Sequence, residues 1–348
     1  MNPLKTFFAS LILLSLACAQ LAPATTASPQ PVEVTEEVAS PDATEAPVAT
    51  QVAAIDVTYG EIAREHIAAI TDQFGARWTG TEEEAQTAHY IEMEFAKMGY
   101  EPEIKSFSRM GWVDDDTQAM FDSANVIAIK EGDTAQVMAV GAHYDSSDEG
   151  LGADDNASGT GALLELAKLL KDVPTSYTIH FVAFGGEEAG LLGSQEYVDN
   201  LGADGVQNTI GFVNMDSIIA GDITYAYCNE SEPALRDWAM DWAGSNGFAL
   251  ETILNVQLSE DGYGTADYEA FEKAGIPFIY FESTNWALGD KDGYTQVDPQ
   301  YGDGGAIIHT EFDTLEYLDK TFPGRVDERL NTVISIIYAI LTQYTIDN

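Results

Sequence analysis

Imidazoles and carboxylates recur at matching places in this 348-residue chain. The apolar run "VMAVGA" ends in His143-Tyr144-Asp145, and the turn after it, "GADDNASG", carries Asp154 and Asp155. "IHFVAF" leads into Glu187-Glu188, "IGFVN" into Met215-Asp216, and "GAIIHTEFDT" presents His309 after a short apolar stretch. If these runs are strands of one parallel sheet, their ends converge. Uncompensated carboxylates would repel there, and a bound cation resolves the conflict. Two imidazoles with several carboxylates form a mixed nitrogen and oxygen donor set. Such a set suits Zn²⁺, and less selectively Mn²⁺ or Co²⁺. It holds too much nitrogen for a calcium cage and no thiolate for a structural zinc site. Adjacent side chains in extended backbone point opposite ways, so Glu187 and Glu188 are expected to face different directions and do separate jobs. The competing account of the pair is a helix N-terminus, where the dipole favours acids. Of the five histidines, His66 and His89 fall on amphipathic helical patterns and His180 inside a strand pattern. Packing or solvent accounts for those three.

The elements that must position these groups alternate. "TYGEIAREHIAAITDQF" and "EEEAQTAHYIEMEFAKMGY" carry apolar residues at helical spacing, separated by a turn in which Thr81 can cap the second helix. "EPEIKSFSRM", "SANVIAIK" and "QVMAVGAHYDS" read as strands, and "ASGTGALLELAKLLKDV" as a helix. "YTIHFVAF", "TIGFVNMDS", "DITYAYC" and "IPFIYFES" are further strands. "GLLGSQEYVDNL", "PALRDWAMDWAGSNG", "TADYEAFEKAG" and "PGRVDERLNTVISIIYAILTQY" are further helices. Apolar strands alternating with helices predict an α/β fold over residues 53–348: a single globular domain with a central mixed, mostly parallel sheet flanked by helices on both faces. In such sheets ligands bind beyond the carboxyl ends of the strands.

Composition narrows the partners. The 15 basic residues against 58 acidic ones give a net charge of −43, which repels nucleic acid and anionic membrane and suits cations. Residues 1–19 begin "MNPLKTFFASLILLSLACAQ", with an early Lys and an apolar run from Phe7 to Leu16. This is a signal-peptide pattern, too short to span a membrane. "LSLAC" reads as a lipoprotein leader ending before Cys18, and Ala17-Cys18-Ala19 reads as a site that releases a soluble protein. Both place the protein outside the cytoplasm, as a secreted, periplasmic or lipid-anchored surface protein. The only membrane contact expected is a lipid on Cys18. Residues 20–52 are rich in Pro, Ala, Thr and acid, without aromatic or basic residues, and read as a disordered linker. The second cysteine, Cys228, is expected to be a buried free thiol.

"GAHYDS", "GADDNASG", "GGEEAGLLGS", "NMDS" and "HTEFDT" occur in the order found in the M28 family of co-catalytic zinc aminopeptidases, which this chain resembles from "RWTGTEEE" to its last helix. "ESTNWALGDKDGYTQ" and "FPGRVDERL" resemble the alkaline phosphatase isozyme conversion branch of that family, associated with removal of basic N-terminal residues. The resemblance implies a zinc-exopeptidase fold, two Zn²⁺ ions, and peptide or protein N-termini as substrate. It implies that Asp155 bridges the metals, with Asp154 as the alternative. His143 and Asp216 would complete one site, and Glu188 and His309 the other. Glu187 would be the general base on the water, and Asp145 would accept the imidazole N–H of His143.

Tyr263 matches a tyrosine that steadies the oxyanion in some members. A cysteine pair of one such member reads Asp261 and Thr265 here, and the family's common "SDH" reads Ala266-Asp267-Tyr268. Glu282, Asp290 and Asp292 are candidates to hold an Arg or Lys side chain of the substrate. "GDKDG" is a candidate Ca²⁺ loop. Three rival readings carry different requirements: a glutaminyl cyclase-like acyltransferase with one zinc, a dimetal carboxypeptidase with a lid domain, and a receptor-like domain without metal. The complete ligand set opposes the first and last. The short spacing from His143 to Asp155 opposes the second.

Overall fold

The computed structural model describes residues 58–345 apart from 115, 254–265 and 290–292. The leader, the linker, Cys18 and residues 53–57 lie outside the described residues, as do Tyr263, Asp261, Thr265, Asp290 and Asp292. The elements are, in order, helices α1 (Glu61–Phe74) and α2 (Glu82–Lys97), then strands β1 (Glu103–Asp114), β2 (Thr117–Lys130) and β3 (Thr134–His143). A turn through Ala153–Ser158 leads to α3 (Gly159–Leu170), β4 (Tyr177–Phe184), α4 (Leu192–Asn208) and β5 (Thr209–Met215). β6 (Ile223–Tyr227), α5 (Ala234–Asn246), α6 (Tyr268–Lys273), β7 (Phe278–Thr284), α7 (Leu315–Thr321) and α8 (Arg325–Gln343) complete the chain. Thr81 does cap α2, its side chain accepting from the Glu84 N–H.

The seven strands form one sheet in the order β1-β2-β4-β3-β5-β7-β6. β4, β3, β5 and β7 run parallel, while β2 joins β4, and β6 joins β7, antiparallel. The central strands are apolar on both faces because helices cover both. Along β4, Phe181 and Ala183 enter one core with Ile67, Leu163 and Ile336, while Val182 and Phe184 enter another with Phe212 and Phe271. That alternation is the two-residue period of a strand. Phe212 stacks on Phe271 with ring centres 3.7 Å apart, fixing α6 against β5. Among the described residues no helix is long and apolar enough to cross a membrane. Cys228 is buried and free.

The apolar run before His309 is not a strand. The N–H groups of Ile307 and Ile308 donate to the Gln296 side-chain oxygen, at 3.2 and 2.9 Å, instead of to a neighbouring strand. His309 sits in the following turn with φ 55°, a left-handed conformation uncommon for a residue with a Cβ. Three of the candidate segments thus leave strand ends, and two, the Ala153–Ser158 turn and the loop of His309, do not.

Candidate metal centre

β3, β4 and β5 are neighbours and parallel, so their carboxyl ends deliver His143, the Glu187-Glu188 pair and Asp216 to one edge. The Ala153–Ser158 turn adds Asp155. Its backbone is held by Asp313, whose two carboxylate oxygens accept the N–H groups of Asp154 and Asp155 at 2.6 and 3.1 Å. Gly152 enters this turn at φ 58°, where a Cβ would lie 2.6 Å from the Asp155 carbonyl oxygen. Only glycine fits that approach.

Asp155 lies between two imidazoles. Its Oδ1 is 3.2 Å from His143 Nε2, and its Oδ2 is 3.0 Å from His309 Nε2. Asp216 Oδ1 lies 3.4 Å from His143 Nε2, and Glu188 Oε2 lies 3.2 Å from His309 Nε2. Each imidazole therefore faces one private carboxylate and one oxygen of a shared carboxylate. Donor atoms of His143, Glu187 and Asp216 fall within 4.8 Å of one another, as do those of His143, Asp155 and Glu188.

Glu187 and Glu188 do not face opposite ways. β4 has ended by then, and Gly186, at φ 74°, begins a turn rather than extended chain. The turn swings both carboxylates into the same cluster. Asp145 secures it. Its carboxylate accepts the N–H groups of Glu187 and Glu188, at 3.1 and 3.2 Å, and the Thr79 hydroxyl at 2.8 Å. Asp145 Oδ1 is also 3.4 Å from His143 Nδ1, and the Asp145 backbone oxygen is 3.2 Å from that nitrogen. One aspartate thus ties the loop after β3 to the loop after β4.

The electrostatics ask for positive charge. Burial works against a charged His309, but Glu188 and Asp155 outweigh it and push the ring up to about 12. His143 is raised in the same way, against burial, chiefly by Asp216 and Glu187. Glu187 is raised well above the usual carboxylate range by burial, then by Asp216 and Glu188. Glu188 Oε1 is buried with no protein partner, and buried polar atoms of that kind call for a ligand or ion. The orphaned oxygen and the nitrogen-oxygen donor set fit zinc.

The other candidates separate cleanly. Asp154 turns away: its carboxylate accepts from the N–H groups of Ile219 and Ala220 and from Gln296. His66 and His180 pair with Tyr90 and Tyr197, and His89 lies on the surface. Glu282 lines the same cavity of about 250 Å³ as Asp155, Glu187, Glu188 and His309. It accepts from the Tyr227 and Tyr280 hydroxyls and the Trp286 indole N–H, and burial raises its carboxyl to about 7.

Sequence reasoning gave no role to Arg77, Asp313, Asp267 or Trp112. Arg77 is fully buried behind the cluster and donates to the carbonyls of Gly75, Tyr144, Leu151 and Gly152, gathering the loops that carry Asp145 and Asp155. The quoted stretches "RWTGTEEE" and "HTEFDT" contain Arg77 and Asp313, but nothing local marks their partners. Asp267 is buried near the cluster, and burial raises its carboxyl to about 7. Trp112 stands at the rim of the cavity.

A profile of peptidase family M28 matches residues 125–334. The alkaline phosphatase isozyme conversion protein of Escherichia coli K12 is 34% identical over 311 residues, 82% of this chain and 90% of that protein. The aminopeptidase YwaD of Bacillus subtilis is 33% identical over 220 residues, 62% of this chain and 44% of its own, so the chain spans less than half of that relative. Among solved structures, BSAP, a zinc aminopeptidase from Bacillus subtilis, superposes with a TM-score of 0.65 at 19% identity, covering 82% of this chain and 96% of that one. A glutaminyl cyclase from Porphyromonas gingivalis superposes with a TM-score of 0.61 at 23% identity, covering 81% and 98%. At those identities the two structures speak to the fold alone.

Proposed function

Because the chain belongs to peptidase family M28 and is a metallo-aminopeptidase, we propose that it binds two zinc ions and removes N-terminal residues with Glu187 as general base. The observation that carries the reading is Asp155, with one oxygen toward each of two imidazoles. Asp155 would be shared by both ions, His143 and Asp216 would hold one, and Glu188 and His309 the other. Zinc supplies Lewis acidity there, polarising the scissile carbonyl and making water easier to deprotonate. Glu187 takes a proton from the attacking water onto its carboxylate and passes it to the leaving amine, worth roughly 10²–10⁴-fold. Asp145 fixes the ring of His143 and, through two N–H groups, the turn bearing Glu187 and Glu188. Glu282, at one side of the cavity, receives a basic first side chain. Mn²⁺ or Co²⁺ are the expected substitutes for zinc.

The test is turnover of Arg-, Lys- and Leu-p-nitroanilide and of a Gln-initiated peptide by wild type and Glu187→Gln, with metal analysis of both. Wild type should hydrolyse, and the variant should keep its metal and lose nearly all turnover. Substantial residual activity would remove Glu187 from its role. A clear preference for Leu would sink the basic pocket, and pyroglutamate formation without hydrolysis would reverse the reaction assignment.

Residues 1–19 direct export, and residues 20–52 tether the catalytic domain that follows. The leader composition supports this, with Cys18 as the lipid-bearing residue. Radiolabelled palmitate should label wild type and not Cys18→Ser; an unlabelled wild type means a released enzyme.

A further inference from the structure

The β1–β2 ribbon projects beyond the sheet on the side of the candidate metal centre. Val126 of β2 pairs with Ala183, one residue before β4 ends, while β2 begins nine residues earlier at Thr117. That overhang stays paired to β1, from Ser106↔Ala124 out to Trp112↔Gln118 and the turn. It is fastened to the loop bearing Glu187 and Glu188. The Trp112 N–H donates to the Ala189 carbonyl at 2.8 Å. A Cβ on Gly190 would lie 3.2 Å from the Trp112 ring. Trp112 therefore both lines the cavity and begins the tip.

The ribbon turns through exposed acidic residues, Asp114 and Asp116, and beside that turn it bares apolar side chains. Met110 is 55% exposed, Trp112 48%, Val113 46% and Met120 59%. Met110 and Met120 are direct cross-strand partners, so their side chains adjoin. Exposed apolar clusters on an otherwise strongly charged surface mark interaction sites. Strand order gives a direction. β7, with Glu282, lies on one side of β5, β3 and β4, and β2 and β1 lie on the other. A peptide with its first side chain at Glu282 and its first carbonyl at the ligand cluster continues toward the ribbon.

We propose that the ribbon tip is a docking surface for the substrate beyond the cleaved bond, favouring apolar residues at the second and third positions of the peptide. This rests on the aminopeptidase reading above. Methionine adapts to varied apolar partners, and tryptophan offers a large rigid face. A second copy of the chain is the poorer occupant. The net charge of −43 opposes self-association. The same charge opposes an anionic membrane.

The test uses the zinc-loaded full chain and four peptide amides: Arg-Phe-Leu-Gly, Leu-Phe-Leu-Gly, Arg-Gly-Gly-Gly and Leu-Gly-Gly-Gly. The quantity read is the ratio of kcat/KM for the Phe-Leu peptide to that for its Gly-Gly counterpart within one enzyme, so the folded fraction cancels. Wild type should show a ratio of roughly ten or more. Met110→Ser/Met120→Ser and Trp112→Ala should each lower it toward one. A wild-type ratio near one, with both peptides cleaved, overturns the docking surface and leaves the aminopeptidase reading standing. A ratio unchanged in both variants also overturns it. Failure of wild type to cleave any of the four overturns the aminopeptidase reading and this inference with it. Self-association on gel filtration that the double variant abolishes assigns the tip to a second copy instead.

Discussion

Asp154 and Asp155 are neighbours in one buried turn, yet they live in opposite electrostatic worlds. Asp154 is met by neutral donors, two backbone N–H groups and the Gln296 amide. Those bonds satisfy its oxygens without cancelling its charge. Burial, and then Asp313, accordingly hold its carboxyl well above the usual range. Asp155 is met by two imidazoles, which outweigh burial and hold its carboxyl below the usual range. Amide donors make a carboxylate a fixture of the fold, whereas imidazoles around a carboxylate make a charge centre that a cation can enter.

The sharpest way to break this contrast is to neutralise each residue in turn. Asp155→Asn should lose zinc and lose more hydrolysis than the roughly 10²–10⁴-fold expected from removing a proton-transfer group. Asp154→Asn should keep zinc but lose about 1–3 kcal/mol of stability, because its new NH₂ group must face a donor. Metal analysis and urea unfolding of both variants read the two effects, and an inverted pattern would exchange the two roles. A smaller effect sharpens the contrast at Glu282, a carboxylate satisfied by hydroxyl and indole donors. Its carboxyl, raised to about 7, is neutral below that pH and anionic above it. Both substrates share an α-amino group that titrates near this range, so the ratio of KM for Arg-p-nitroanilide to KM for Leu-p-nitroanilide should fall as pH rises through about 7. Parallel curves would remove Glu282 from contact with the substrate.

Much of the molecule was legible because strands alternate with helices and polar residues punctuate strand ends. Position after strand-like runs marks His143, Glu187, Glu188 and Asp216 as candidates, since a strand end on a parallel sheet is a place in space as well as in sequence, and the resemblance to the M28 family supplies the roles proposed for them. The limits lie where position depends on distant partners. Nothing near Asp154 and Asp155 tells them apart; Gln296, Ile219 and His309 do, and the fold brings those from elsewhere. The Glu187-Glu188 turn was misjudged because the strand ends at Phe184 and Gly186 bends the chain. The run before His309 is as apolar as a strand in sequence, but its N–H groups bond to Gln296 instead of to a neighbouring strand. Arg77 was invisible because its partners are backbone carbonyls, which leave no mark in sequence.

The cluster draws on residues from His143 to His309, and each segment reaches it only through a different strand end or loop. Parallel pairing of β3, β4 and β5 is non-local, which carries a loop-closure cost that slows folding. An unfolded chain therefore carries the carboxylates and imidazoles without being an enzyme. The cluster exists only once those strands have paired, so the return of peptide hydrolysis during refolding in zinc is a clock for that pairing.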